Sequence, residues 1–160
     1  MSTANRITFT TTSPARTRAF GRRLARLLRA GDVVLLQGQL GAGKTALAQG
    51  VGVGLGVEEP VTSPTFVLLA RHEGPTPLYH ADLYRLTSLE EVEDLALADQ
   101  AADGVLLVEW PERGLEALPR EHLLVVLDLV EGAPEERRIT VVGFGERYRH
   151  VLDGIEGIRP

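Results

Sequence analysis

Three observations predict an α/β fold: a central mixed sheet with parallel core strands, antiparallel flanking strands and helices on both faces. Val33-Val34-Leu35-Leu36 is a short apolar, strand-like run; it leads into Gly38-Gln39-Leu40-Gly41-Ala42-Gly43-Lys44-Thr45 and then into Ala46-Leu47-Ala48-Gln49, which reads as helix. Val105-Leu106-Leu107-Val108 is apolar throughout, as a parallel strand buried on both faces requires. The stretches 66–70 and 78–84, and again 123–129 and 138–142, are strand-like pairs joined by polar links, the pattern of antiparallel neighbours. At 160 residues the chain reads as one domain over 1–152, with 153–160 a loose C-terminal tail.

Taken in order, Ile7-Thr8-Phe9-Thr10 alternates apolar and polar residues and reads as a short edge strand. Ser13 is placed to cap a helix with Pro14 at its first position. That helix is expected to run to about residue 30, with Ala19, Phe20, Leu24, Leu27 and Leu28 on one side. Arg16, Arg22, Arg23, Arg26 and Arg29 cover the rest, as on a solvated amphipathic helix or an anion-facing surface. The helix after the glycine loop passes through Gly50, Gly52 and Gly54, expected to let it approach the sheet closely, and ends at Gly56. In the strand 78–84, alternation sets Tyr79 and Ala81 on one face and His80 and Asp82 on the other. Ser88 and Glu91 form a capping box for a helix ending near residue 102, with Glu90, Glu91, Glu93 and Asp94 suiting its positive end. A short helix and turn over 115–121, a polar loop over 131–136 and a helical turn over 146–152 complete the reading.

The octet 38–45 carries the chemistry. It fits G-x-x-x-x-G-K-[ST] in the strand–loop–helix setting that this phosphate-binding loop demands, and so specifies a small P-loop NTPase fold. Glycines let the backbone turn its N–H groups inward as a nest for phosphate oxygens, and the following helix N-terminus favours the same anion. The cofactor-binding set is therefore Gly38, Gln39, Leu40, Gly41, Ala42, Gly43, Lys44, Thr45 and Ala46. Lys44 is the only lysine among 17 basic residues. A compact ammonium on a flexible stem enters a tight nest where a planar guanidinium does not. Thr45 offers a hydroxyl to Mg²⁺, and Glu109, at the end of a buried strand, is the candidate second metal residue. Asp82 is the remaining candidate catalytic carboxylate, although an acidic residue at a strand end also occurs as a plain turn residue. Thr62-Ser63-Pro64-Thr65-Phe66 reads as an ST-rich turn or as a nucleotide-responsive switch.

Composition narrows the classes further. There are no cysteines, which removes disulfides and thiolate chemistry and fits a reducing cytoplasm. No two of the four histidines stand at metal-ligand spacing. No signal-like apolar run follows the polar N-terminus, and stretches such as 123–127 are too short to span a bilayer. The net charge of −5 argues against gripping nucleic acid through bulk charge alone.

The ordered set of phosphate loop 38–45, Thr62-Ser63-Pro64-Thr65-Phe66, His80-Ala81-Asp82-Leu83-Tyr84-Arg85-Leu86 and Glu109-Trp110-Pro111-Glu112 closely resembles the TsaE (YjeE-type) family, over roughly residues 6–145. That resemblance implies an ATPase, with ATP and Mg²⁺ as cofactors, acting in bacterial tRNA threonylcarbamoyladenosine biosynthesis. It implies TsaD-type and TsaB-type partners, tRNA reached through that complex, no membrane, and a free form that is monomeric. Hydrolysis would reset the complex between turnovers. Carried over, Lys44, Asp82 and Glu109 are the catalytic candidates and Thr45 and Glu109 the metal candidates. Thr62, Ser63, Pro64, Thr65, Phe66, His80 and Trp110 form the switch and partner set. Family members commonly carry Asp where Gln39 stands and a second Thr where Ala46 stands. A GTPase is excluded because the Asn-Lys-x-Asp element cannot be built from a chain whose only Asn is Asn5 and only Lys is Lys44. A small P-loop kinase remains the alternative, weakened by the lack of an arginine-rich lid beyond Arg113 and Arg120.

Overall fold

The computed structural model describes residues 5–62 and 68–158. In chain order the elements are β1 (Arg6–Thr11), α1 (Pro14–Ala25), β2 (Val33–Gln37), α2 (Lys44–Gly54), β3 (Leu69–His72), β4 (Leu78–Asp82), α3 (Leu89–Leu95), α4 (Leu97–Gln100), β5 (Val105–Glu109), β6 (His122–Val130), β7 (Ala133–Phe144) and α5 (Arg149–Ile158). The strands form one sheet in the order β1-β7-β6-β2-β5-β4-β3. β6, β2, β5 and β4 are mutually parallel, while β1-β7-β6 on one side and β3 beside β4 on the other run antiparallel. The expected mixed sheet is the one observed.

Side chains alternate across the strands and build a core on each face. Val34, Leu36, Leu107, Val125 and Leu127 pack under α1, α2 and α5, whereas Val33, Leu35, Tyr79, Ala81 and Val108 pack under α3 and α4. No described helix is long and apolar enough to cross a membrane.

Local signals hold where they are specific. Ser13 caps α1 through the Arg16 N–H, with Pro14 at the first helical position. Ser88 caps α3 through the Glu91 N–H, while the Glu91 carboxylate accepts from Thr87 and Ser88.

Several extents differ from expectation. α1 ends at Ala25, because Leu27 and Leu28 bond back three residues in tighter turns. The helix expected to reach residue 102 breaks at Ala96 (φ 46°), so that both Val92 and Leu97 face the core. The 131–136 loop contracts to the turn Glu131-Gly132, with Gly132 at φ +78°, and β7 begins at Ala133. The expected loose tail is corrected for 153–158: α5 continues to Ile158, and Ile155 is buried beside Val151 and Leu152. Gly50 and Gly54 lie against α1 rather than the sheet; a Cβ on Gly50 would fall 2.0 Å from the Arg18 carbonyl oxygen.

Candidate functional site

The glycine loop joins the end of β2 to the first turn of α2, at the carboxyl edge of the parallel strands where open α/β sheets bind ligands. Gly41 (φ +80°) and Gly43 (φ +100°) take left-handed conformations that a side chain disfavours. Gly38 has no room for one: a Cβ there would stand 2.8 Å from the Leu127 carbonyl oxygen. The Ala42 N–H closes a turn onto the Gln39 carbonyl at 3.0 Å. Gln39, Leu40 and Gly41 form the exposed tip; Ala42 is buried, Ala46 half-buried, and Thr45 stands exposed at the rim.

Lys44 is buried although it carries the loop's charge. Its ammonium donates to the Gly38 carbonyl and sits 3.9 Å from the centroid of the Trp110 ring. Burial lowers its pKa below the ordinary 10.5, against the opposing pull of the Glu109, Glu112 and Asp82 carboxylates. Trp110 reaches this position from a left-handed backbone conformation (φ 57°), uncommon for a bulky residue. It also packs against Tyr84, with ring centroids 4.8 Å apart.

Glu109 ends β5, in register with Leu36 of β2 and Asp82 of β4. Its side chain is buried, and Oε2 lies 2.6 Å from Nε2 of the fully buried His80 on the adjacent strand. Among the described residues His80 Nδ1 has no hydrogen-bond partner. His80, expected with the switch and partner residues, thus stands inside the fold behind Glu109. Asp82 is half-exposed and accepts the Tyr84 N–H at 2.9 Å. The fold brings Lys44, Asp82, Glu109, His80 and Trp110 together from three separate segments. Of the expected switch, Thr62 is exposed, while Ser63, Pro64, Thr65 and Phe66 lie outside the described residues.

Sequence reasoning missed Arg137. From β7 its Nε donates to the Ala42 carbonyl and its Nη2 to the Gly41 carbonyl, both at 3.0 Å, and its Nη1 donates to the Pro134 and Glu136 carbonyls at 2.7 Å. A signal was available: Arg137 has the parity of Ile139 and Val141, which face the core beside α2, so it is an arginine on the inward side of its strand.

The donor set suits a magnesium nucleotide. Left-handed glycines shape an anion nest, and a movable ammonium sits at its mouth. Oxygen ligands are offered by Thr45 and by the carboxylates of the strand ends. Among the described residues no three His, Cys, Asp or Glu side chains cluster as a self-sufficient metal cage. Mg²⁺ needs none when phosphate and water oxygens supply most of its shell. A cavity of about 220 Å³ at the opposite ends of β2 and β5 has its main polar groups engaged internally, Arg147 with Asp32 and Tyr148 with the Val33 N–H.

The family model described as "Threonylcarbamoyl adenosine biosynthesis protein TsaE" matches residues 11–139. A Streptomyces coelicolor protein named tRNA threonylcarbamoyladenosine biosynthesis protein TsaE is 51% identical over 138 residues, covering 82% of this chain and 93% of its own. A Bacillus subtilis protein of the same name is 39% identical over 145 residues, covering 89% of each. The crystal structure of Bacillus subtilis YdiB superimposes with a TM-score of 0.78 at 33% identity, covering 97% of both chains.

Proposed function

Because the chain belongs to the TsaE family, we propose that it is the ATP-binding and ATP-hydrolysing subunit of tRNA threonylcarbamoyladenosine biosynthesis, cycling with TsaD-type and TsaB-type partners in the cytoplasm. The observation that carries the reading is the convergence of a glycine nest, Lys44 and the buried Glu109 at the carboxyl edge of one sheet.

The backbone N–H groups of the loop bind the triphosphate. Lys44 exchanges the Gly38 carbonyl for phosphate oxygens, and in moving it leaves the Trp110 ring. Thr45 and Glu109 hold the metal, which when bound neutralises charge on the phosphates. His80 keeps Glu109 in one orientation through their hydrogen bond. Asp82, beside Glu109 in the sheet, orients the attacking water. The segment from Thr62 to Phe66 and the Trp110 surface carry the nucleotide state to the partners.

Arg137 is occupied by loop carbonyls, and the charged groups that act on Lys44 among the described residues are the carboxylates of Glu109, Glu112 and Asp82. Hydrolysis by the free chain is therefore slow, well below the ~1–100 s⁻¹ of kinases, and partners accelerate it. The test adds the purified chain, ATP and Mg²⁺ to the modifying enzymes and unmodified tRNA. Multiple-turnover modification is expected to require the chain and to be lost with Lys44→Ala and Glu109→Ala. Unchanged turnover with both variants would refute the proposal, and phosphorylation of a small acceptor would favour a kinase.

A further inference from the structure

We infer that Arg137 is a positioning residue of the phosphate loop: it holds the nest in its binding shape before nucleotide arrives. The inference rests on the loop being the triphosphate site, and it adds a residue from the antiparallel flank that the loop motif does not contain.

A trans peptide unit is planar, with its C=O and N–H pointing in opposite directions. Holding the Gly41 carbonyl therefore orients the Ala42 N–H, which is used within the loop by Gln39 at 3.0 Å. Holding the Ala42 carbonyl orients the Gly43 N–H away from Arg137. That N–H has no partner among the described residues and is left for the ligand. Two of the peptide units held this way flank glycines, the residues that lose most freedom when ordered. An isolated glycine loop samples many shapes. This one is tied at two consecutive carbonyls to a strand in the middle of a three-stranded antiparallel flank.

The guanidinium is itself held. Its remaining bonds go to Pro134 and Glu136 carbonyls at the start of the same strand. Arginine suits this task because its donors are rigid and point along several directions at once, where a lysine ammonium offers a single centre. All four acceptors are neutral carbonyls, and Arg137 makes no carboxylate ion pair among the described residues. Its charge is thus left uncompensated beside the nest, where it also favours an anion.

If the loop were binding-competent only a tenth of the time without this support, nucleotide affinity would fall about tenfold. Calorimetric titration of the full chain with ATP, ADP and AMP tests this, using wild type, Arg137→Ala, Arg137→Gln and Arg137→Lys. Expected is a loss of about tenfold or more for ATP and ADP in Arg137→Ala, a small change for AMP, and partial recovery in Arg137→Lys. Arg137→Gln separates the two contributions, since it keeps a donor and removes the charge. Unchanged ATP affinity in a folded Arg137→Ala protein overturns the inference. So does an equal loss for ATP and AMP, which is general loosening rather than a defect of the nest. If Arg137→Ala does not fold, the same comparison in Arg137→Lys decides. A wild-type chain that binds no ATP overturns the functional proposal and this inference together, whereas a failure confined to the variants leaves the functional proposal standing.

Discussion

Adding one methyl group at Gly50 should damage the protein, and adding the same group at Gly157 should not. A Cβ on Gly50 would lie 2.0 Å from the Arg18 carbonyl oxygen and 3.0 Å from the Arg22 nitrogen, both backbone atoms of α1. Neither can rotate away. Ordinary contact begins near 3.4 Å, so α1 and α2 would have to separate by roughly 1.4 Å. A gap of about 0.5–1 Å already forfeits a quarter to a half of the dispersion well at each facing contact. Overpacking of this kind costs about 1–3 kcal/mol, and a helix pair with no side chain to yield belongs at the upper end. Alanine returns about 1 kcal/mol through helix propensity. The net loss is about 2 kcal/mol, which for a chain of this size lowers Tm by about 4–8 °C.

Gly157 lies in α5 with nothing within 4 Å of its would-be Cβ and no positive φ. Alanine there should raise stability by about 0.5 kcal/mol, less than the full propensity difference because the site is one residue from the helix end. Urea unfolding of Gly50→Ala, Gly157→Ala and wild type measures both. A Gly50→Ala protein as stable as wild type would refute the close α1–α2 contact. Equal damage at both sites would show that glycine flexibility, not clearance, is what the positions need. Because α2 starts at Lys44, Gly50→Ala should also weaken ATP binding, which Gly157→Ala leaves alone.

Two further outcomes follow from single contacts. Tyr148→Phe removes the hydroxyl that accepts the buried Val33 N–H at 2.9 Å, leaving that donor unpaired, and should cost about 1–3 kcal/mol in denaturant unfolding; a loss within error would mean another acceptor replaces it. Lys44 gives a pH dependence. Its folded pKa is lowered by burial, so the folded state binds this proton less tightly than the unfolded chain does. The resulting penalty is fully present below the lowered pKa, shrinks as pH rises toward 10.5, and is absent above it. In the nucleotide-free protein, wild type should therefore gain stability relative to Lys44→Met as pH climbs toward 10.5; a flat difference would contradict the desolvated ammonium.

Features confined to a few neighbouring residues were legible in the sequence. The glycine loop, the Ser13-Pro14 helix start, the Ser88–Glu91 box and the apolar strand ending in Glu109 depend on local backbone preferences and patterning. The sheet class followed from them, because an apolar run buried on both faces admits few arrangements. The α5 helix was legible and misread: Val151, Leu152 and Ile155 keep helical spacing, which outweighs Gly154 and Gly157. The break at Ala96 had no local sign, since alanine is the best helix former and its left-handed turn is imposed by burying Val92 and Leu97 on one core.

What the sequence concealed at the site is non-local in the same sense. The glycines of α2 signalled a close approach but not which surface approaches, and that surface is the backbone of a helix some thirty residues earlier. His80 was visible as a histidine on a strand. Only the parallel pairing of β4 with β5 turns it into a buried partner of Glu109. Arg137 lies 95 residues from Ala42 and became significant only when β7 was placed beside β6. The loop motif states which atoms can meet a phosphate. The readiness of those atoms depends on Gly50 at the α1 contact, His80 behind the carboxylate and Arg137 on the flank. Substitutions at these three positions, none of them in the motif, should alter nucleotide binding or hydrolysis while the octet 38–45 stays unchanged.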